Sequence, residues 1–235
     1  MKRILTPLAL AAAAAVAVVT PGAASAASAG PPPLPPASGF GAGTVNPWFP
    51  VVPGTTSTFA GDIDGVAARE LFTVTADVKV VDGVPANVIH DRLYLAREGG
   101  HGRYLAEDTV DWYATANNGD VWYLGEATTE YDEQGHVVST DGSWQAGVDG
   151  ARAGIFMPAT PRVGATYQQE WAVDAKDLFR ITGVDANTVT TREWTPLEPG
   201  LVTKKVYEFG TGQVLEDTVK GQAIEDLWLE LVGRS

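Results

Sequence analysis

The sequence predicts an all-β protein, a single antiparallel β-barrel or strongly curved sandwich. Three observations carry this. Short runs rich in β-branched and aromatic residues recur along the chain, separated by Gly, Asp, Asn and Pro turn signals. No window sustains a 3.6-residue apolar period, apart from an ambiguous stretch at Ile224–Leu231. The chain has no cysteine, so no disulfide can staple it, and seven Trp, seven Tyr and seven Phe supply material for a core instead.

The first residues read as an address rather than as fold. Lys2 and Arg3 form a short basic region, Leu8 to Val19 an apolar core, and Ala24-Ser25-Ala26 a small-residue cleavage pattern, so residues 1–26 are expected to be a secretory signal peptide. The apolar core is too short to cross about 30 Å of hydrocarbon. The expected product is a secreted, extracellular protein with no membrane span. Removing residues 1–26, which hold two basic and no acidic side chains, takes the formal net charge from −13 to −15. Such a chain repels nucleic acid and anionic membrane surfaces, so neither is an expected partner. Residues 27–45 read as a Pro/Gly-rich linker, with Pro31-Pro32-Pro33 and Pro35-Pro36 stiff and extended. Gly39-Phe40-Gly41-Ala42-Gly43 has neither a strand before it nor a helix after it, so it is expected to be spacer and not a dinucleotide loop.

A single β domain is expected over residues 46–235. Asn46-Pro47-Trp48-Phe49-Pro50 brackets two large aromatics with prolines, which suggests an irregular plug under the sheet. Pro53-Gly54 turns into a strand at Thr55–Ala60. After a turn at Gly61–Gly65, Glu70–Val81 and Asn87–Ala96 form a hairpin about Asp82-Gly83. Glu98–Arg103 is loop, and Asp111–Glu126 is the strongest hairpin pattern of the chain, turning at Asn117-Asn118-Gly119-Asp120. Glu130–Asp132 and His136–Ser139 flank another turn. Asp141–Pro161, punctuated by Gly and Pro and carrying Trp144 and Phe156, reads as an ordered functional or capping loop. Strands are then expected at Thr166–Trp171, Phe179–Val184, Thr188–Trp194, Leu201–Phe209, Val214–Val219 and Leu227–Val232.

The register of the central hairpin decides what its acids do. A two-residue Asn118-Gly119 turn pairs Thr115 with Trp122, Tyr113 with Leu124, and Asp111 with Glu126. Alternation then puts Asp111, Tyr113, Thr115, Trp122, Leu124 and Glu126 on one face, and Trp112, Ala114, Val121, Tyr123 and Gly125 on the other. Two carboxylates directly opposite repel unless a shared proton, an Arg or a bound cation compensates. A three-residue turn would separate them. Asp111 and Glu126, with Glu170, are therefore the candidate catalytic acids, and Asp111 and Glu126 the candidate ligands of a cation such as calcium. Trp112, Trp122, Trp144, Tyr113 and Tyr123 are the candidate ligand-binding aromatics. Asp149 is a further acid that could serve carboxylate chemistry.

Other chemistries find no support. There is no Cys and no G-x-S-x-G elbow, and His90, His101 and His136 lack paired metal-ligand spacing. Glu130-x-Asp132-x-Gln134-Gly135 aligns poorly with a calcium loop, because its first, fifth and twelfth positions are atypical. No cofactor is indicated beyond that possible calcium.

Several blocks resemble a group of uncharacterised exported bacterial proteins, mainly actinobacterial. They are Asn46-Pro47-Trp48-Phe49-Pro50 with Pro53-Gly54-Thr55, Asp111-Trp112-Tyr113-Ala114, Asn118-Gly119-Asp120-Val121-Trp122-Tyr123 and Gly125-Glu126. Gly142-Ser143-Trp144, Ala146–Ala151 and Glu193–Gly200 extend the likeness over most of residues 46–219. It implies export and brings no established activity. The chain departs from that group between Trp171 and Thr191 and at its Leu227–Val232 tail.

The expected function is that of a secreted barrel, lipocalin- or lipoprotein-carrier-like in general shape, that binds a small or hydrophobic ligand or a glycan. The alternatives are a carboxylate-dependent hydrolase of extracellular polysaccharide and a cation-stabilised envelope or spore-surface protein.

Overall fold

A computed structural model describes residues 30–235, and the expected leader lies outside them. Among the described residues, fifteen strands form one antiparallel sheet. They are β1 (Thr56–Ile63), β2 (Val66–Val81), β3 (Val84–Ala96), β4 (Arg103–Thr115), β5 (Val121–Tyr131), β6 (Val137–Ser139), β7 (Trp144–Gln145) and β8 (Arg152–Met157). There follow β9 (Thr166–Gln168), β10 (Glu170–Trp171), β11 (Leu178–Val184), β12 (Thr188–Trp194), β13 (Val202–Glu208), β14 (Gly212–Lys220) and β15 (Leu227–Arg234). The path runs β10-β8-β5-β4-β3-β2-β1-β15-β14-β13-β12-β11-β9, with β6 and β7 added to β5. The barrel expected from the sequence is thus present, and its closure is visible in this order. β9 and β10, at opposite ends of the path, are joined through Gln169 alone. Gly154 makes that seam possible, because a Cβ there would lie 2.3 Å from the Gln168 carbonyl oxygen and 2.5 Å from that of Gln169.

The turn chemistry follows the sequence closely. Asp64-Gly65 and Asp82-Gly83 close two-residue hairpins with positive φ at all four residues, the type I′ geometry that matches strand twist. The central hairpin differs from its expected form. Ala116 N–H donates to the Asp120 carbonyl at 2.8 Å, so the loop has three residues, Asn117, Asn118 and Gly119. Thr115 therefore pairs with Val121, Ala114 with Trp122 and Tyr113 with Tyr123. That corrects the expected faces: Trp122 and Leu124 leave the face of Tyr113, and Tyr123 joins it. A bulge then restores the register, and Asp111 does pair with Glu126. The bulge sits at Gly125, whose φ of +136° suits glycine. A Cβ at that position would lie 2.4 Å from the Trp144 carbonyl oxygen, because β7 crosses there.

Two further expectations need correction. Asp141–Pro161 is not loop throughout, since it contributes β7 and β8, the latter part of the barrel wall. The Pro/Gly-rich segment is laid against the barrel and is not free spacer. Arg152 donates to the Pro31 carbonyl at 2.6 Å, Asn117 N–H to that of Gly39 at 2.7 Å, and Phe40 is buried.

The plug expected at Asn46–Pro50 is there. Asn46 Oδ1 accepts from the backbone of Trp48 at 2.8 Å, while its Nδ2 donates to the Gly119 carbonyl at 2.9 Å. This pins Phe49 into the barrel, where its ring meets Phe156 at 4.5 Å, Tyr113 at 5.3 Å and Phe72 at 5.7 Å. A second apolar layer, including Phe59, Ile63, Ala68, Leu93, Leu95, Leu227 and Leu229, fills the other end. Burying large side chains at about 1.5–3 kcal/mol each makes these two layers the main source of stability. The inward positions between them are polar.

Candidate functional site

The alternation of β2 explains what lies between the layers. Its inward residues read Ala68, Glu70, Phe72 and Val74, so a carboxyl follows directly on the lower apolar layer. Asp91 takes the same place in β3, between Ile89 and Leu93. β4 presents Glu107, Thr109, Asp111 and Tyr113, and β5 presents Tyr123 and Glu126. From the far wall come Glu170, Asp177, Glu193, Lys205 and Glu216. Together they line a cavity of about 160 Å³, an order of magnitude more than one water needs. Nine carboxyl groups face it against one lysine, with exposed Arg234 beside Pro50 and Thr211 where the cavity reaches the surface.

On the far wall, Lys205, Glu193 and Glu216 satisfy one another. Lys205 Nζ lies 3.2 Å from Glu193 and 3.6 Å from Glu216. Glu193 also accepts from Thr191 at 3.0 Å, Gln169 at 3.2 Å and Tyr207 at 3.4 Å, and Gln213 donates to Glu216 at 3.1 Å. Burial opposes the charge on Lys205, but Glu193 and Glu216 more than offset it and hold the ammonium well above its usual range.

The near wall is carried by the central hairpin. Tyr113 and Tyr123 stack at 4.5 Å with an angle of 9°, and the Tyr123 hydroxyl donates to Asp111 Oδ1 at 2.5 Å. Thr128 donates to Glu126 at 3.4 Å and Thr109 to Glu107 at 2.8 Å. Burial pushes the Asp111 carboxyl up to about 7, although the Tyr123 hydroxyl and Lys205 draw it down. Burial, then Asp111, pushes Glu126 well above the carboxylate range. Glu70 is pushed up to about 8 by burial and then by Glu216. Asp91 is also raised, by burial and then by Glu70. Buried like charges in so small a space cannot all ionise, so near neutral pH protons offset part of the charge of this wall.

The expected site residues divide cleanly. Asp111, Glu126, Glu170, Tyr113 and Tyr123 all line the cavity. Trp144 is buried edge-on against Tyr123 at 5.4 Å, behind the lining. Trp112 and Trp122 alternate with the two tyrosines and lie on the outer side of the wall. There Lys79 sits 3.1 Å over the Trp112 ring, a cation–π contact that explains this tryptophan structurally. Asp149 is exposed at a turn, away from the other acids. No group of three or more His, Cys, Asp or Glu among the described residues is placed to hold a metal ion, the Asp111–Glu126 region included. Asp132 Oδ1 accepts from the backbone N–H of Gln134 and of His136, and its Oδ2 lies 3.1 Å from His136 Nδ1, which makes it a turn cap. Sequence reasoning missed Glu70, Asp91, Glu107, Asp177, Glu193, Lys205 and Glu216. The available signal was an acid on the inward parity of several predicted strands at once. No protein-family model, curated protein or solved structure matches the chain.

Proposed function

We propose that this is an exported binding protein that encloses one small polar molecule within its barrel. The observation that carries the reading is the carboxyl-rich cavity itself, set between two apolar layers where a purely structural barrel would be filled by side chains. A hydrophobic ligand is supported less well, because it would have to lie against dehydrated carboxyls that it cannot satisfy. A polysaccharide hydrolase is also supported less well. Its two acids flank an open cleft that admits a chain of sugars, whereas Asp111 is 4 % and Glu126 7 % exposed inside a barrel with room for one small molecule.

Native mass spectrometry of the purified protein tests the reading. A small co-purified adduct, or a rise in melting temperature with one compound of a small polar library, is the expected result. A clean unliganded mass together with no response to any compound would refute it.

A further inference from the structure

Glu70 and Asp91 are two neighbouring cavity carboxyls on one wall that the fold leaves unanswered; half-buried Glu170, by the seam, is a third. Glu70 is 5 % exposed, lines the cavity and receives no hydrogen bond, while Glu193 across the barrel receives three and an ammonium. Asp91 lines the cavity beside it, and its Oδ1 is closed off from solvent with no donor in reach. Burying such groups unpaired costs on the order of 1–3 kcal/mol each, and native interiors rarely tolerate it without a role. The neighbouring inward residue is Phe72, which pairs with Asp91 across β2 and β3, so the two acids sit at the edge of an aromatic surface.

Resting on the binding role proposed above, we infer that the ligand is a small organic cation, a primary amine or short diamine, whose ammonium is received by Glu70 and Asp91. An ammonium offers up to three donors and needs only a few acceptors with an aromatic flank, which is what this wall presents. A dehydrated calcium ion needs six to eight oxygens, and no cluster of metal-ligating side chains is assembled among the described residues. Lys205 does not fill the role, since it is committed to Glu193 and Glu216 on the far wall. The charged groups facing the pair are Glu107 and Asp111 from β4, Lys205 from β13 and Glu216 from β14. Burial and repulsion from neighbouring acids raise both carboxyls, so a cation that pairs with them does so by displacing protons.

The test is calorimetric titration of the purified protein with 1,4-diaminobutane, compared with 1,4-butanediol, a monosaccharide, a fatty acid and calcium chloride. Saturable one-to-one binding of the diamine, absent for the diol, is the expected result. Affinity should tighten about tenfold per pH unit between pH 6 and 7.5 for each proton displaced. Glu70→Gln and Asp91→Asn should each weaken binding about tenfold or more while melting no lower than the parent, because each replaces a buried carboxyl whose ionisation the barrel opposes with a neutral amide of the same shape. Diamine binding that ignores both pH and these substitutions would overturn the inference. So would binding of the diol, the sugar, the fatty acid or calcium in place of the diamine, although the binding role would then stand. If none of the compounds binds and the native mass is clean, both readings fall.

Discussion

Glutamine in place of Glu70 is expected to stabilise the protein at neutral pH and to change little at pH 4. The carboxyl lies 5 % exposed in the barrel, and burial followed by Glu216 lifts it from 4.5 to about 8. Between those values the native state keeps a proton that the unfolded chain has lost. The unfolded state is then favoured progressively, so the stability present below pH 4.5 declines as pH rises through the window toward 8. From pH 4.5 to pH 7 the loss is about 3 kcal/mol at ~1.4 kcal/mol per pH unit, an upper value because the attraction of Lys205 and proton sharing with neighbouring acids reduce it. Asp111 and Asp177, each pushed up to about 7, add slope of the same sign. Glutamine keeps the shape of the side chain and cannot ionise, so it removes the contribution of Glu70. Urea denaturation of both proteins at pH 4.5, 6 and 7.5 measures this directly. The parent should weaken as pH rises, and the variant should weaken less. A parent that grows more stable toward pH 7.5, or a difference between the two that does not change with pH, would show that Glu70 is ionised in the native barrel.

Two structural predictions follow from the same geometry. Lys205→Met removes the ammonium between Glu193 and Glu216 and should cost about 3–5 kcal/mol near neutral pH. The loss should be smaller at pH 5, because burial raises Glu216 and lets it take up a proton there, and chemical denaturation at both pH values should show that order. Gly125→Ala forces a side chain into a φ of +136° and toward the β7 backbone. It should cost about 1–3 kcal/mol, more if β7 is displaced. Thermal melting followed by near-ultraviolet circular dichroism of the Tyr and Trp environment checks this, and an unchanged melt would mean that β7 does not press on the bulge.

The fold was legible because its signals are local. Asp82-Gly83 marks a hairpin through backbone preference alone, and the Asn46–Pro50 plug is announced by two aromatics held between prolines. The site was legible only in part. Asp111 and Glu126 were paired correctly although the turn between them has three residues, because the bulge at Gly125 cancels the shift. Nothing local distinguishes that bulge from an ordinary strand glycine. It is required by β7, which crosses β5 from about twenty residues further along the chain. Trp112, Trp122, Trp144, Tyr113 and Tyr123 are all ligand candidates by their chemistry, and the one-residue shift in the hairpin takes Trp122 off the face of Tyr113 and puts Tyr123 on it.

By itself, then, the sequence determined the class of fold, the positions of most turns, the plug and the opposition of Asp111 and Glu126. Alternation and turn propensity are properties of a few adjacent residues and need no partner to be expressed. Tertiary structure alone decided that the sheet closes at Gln169, and so which side of each strand is inside. That closure turns acids scattered from Glu70 to Glu216 into the walls of one cavity and matches Lys205 with two of them. It also leaves Glu70 and Asp91 without a partner, because whether a buried carboxyl is satisfied depends on groups more than a hundred residues away.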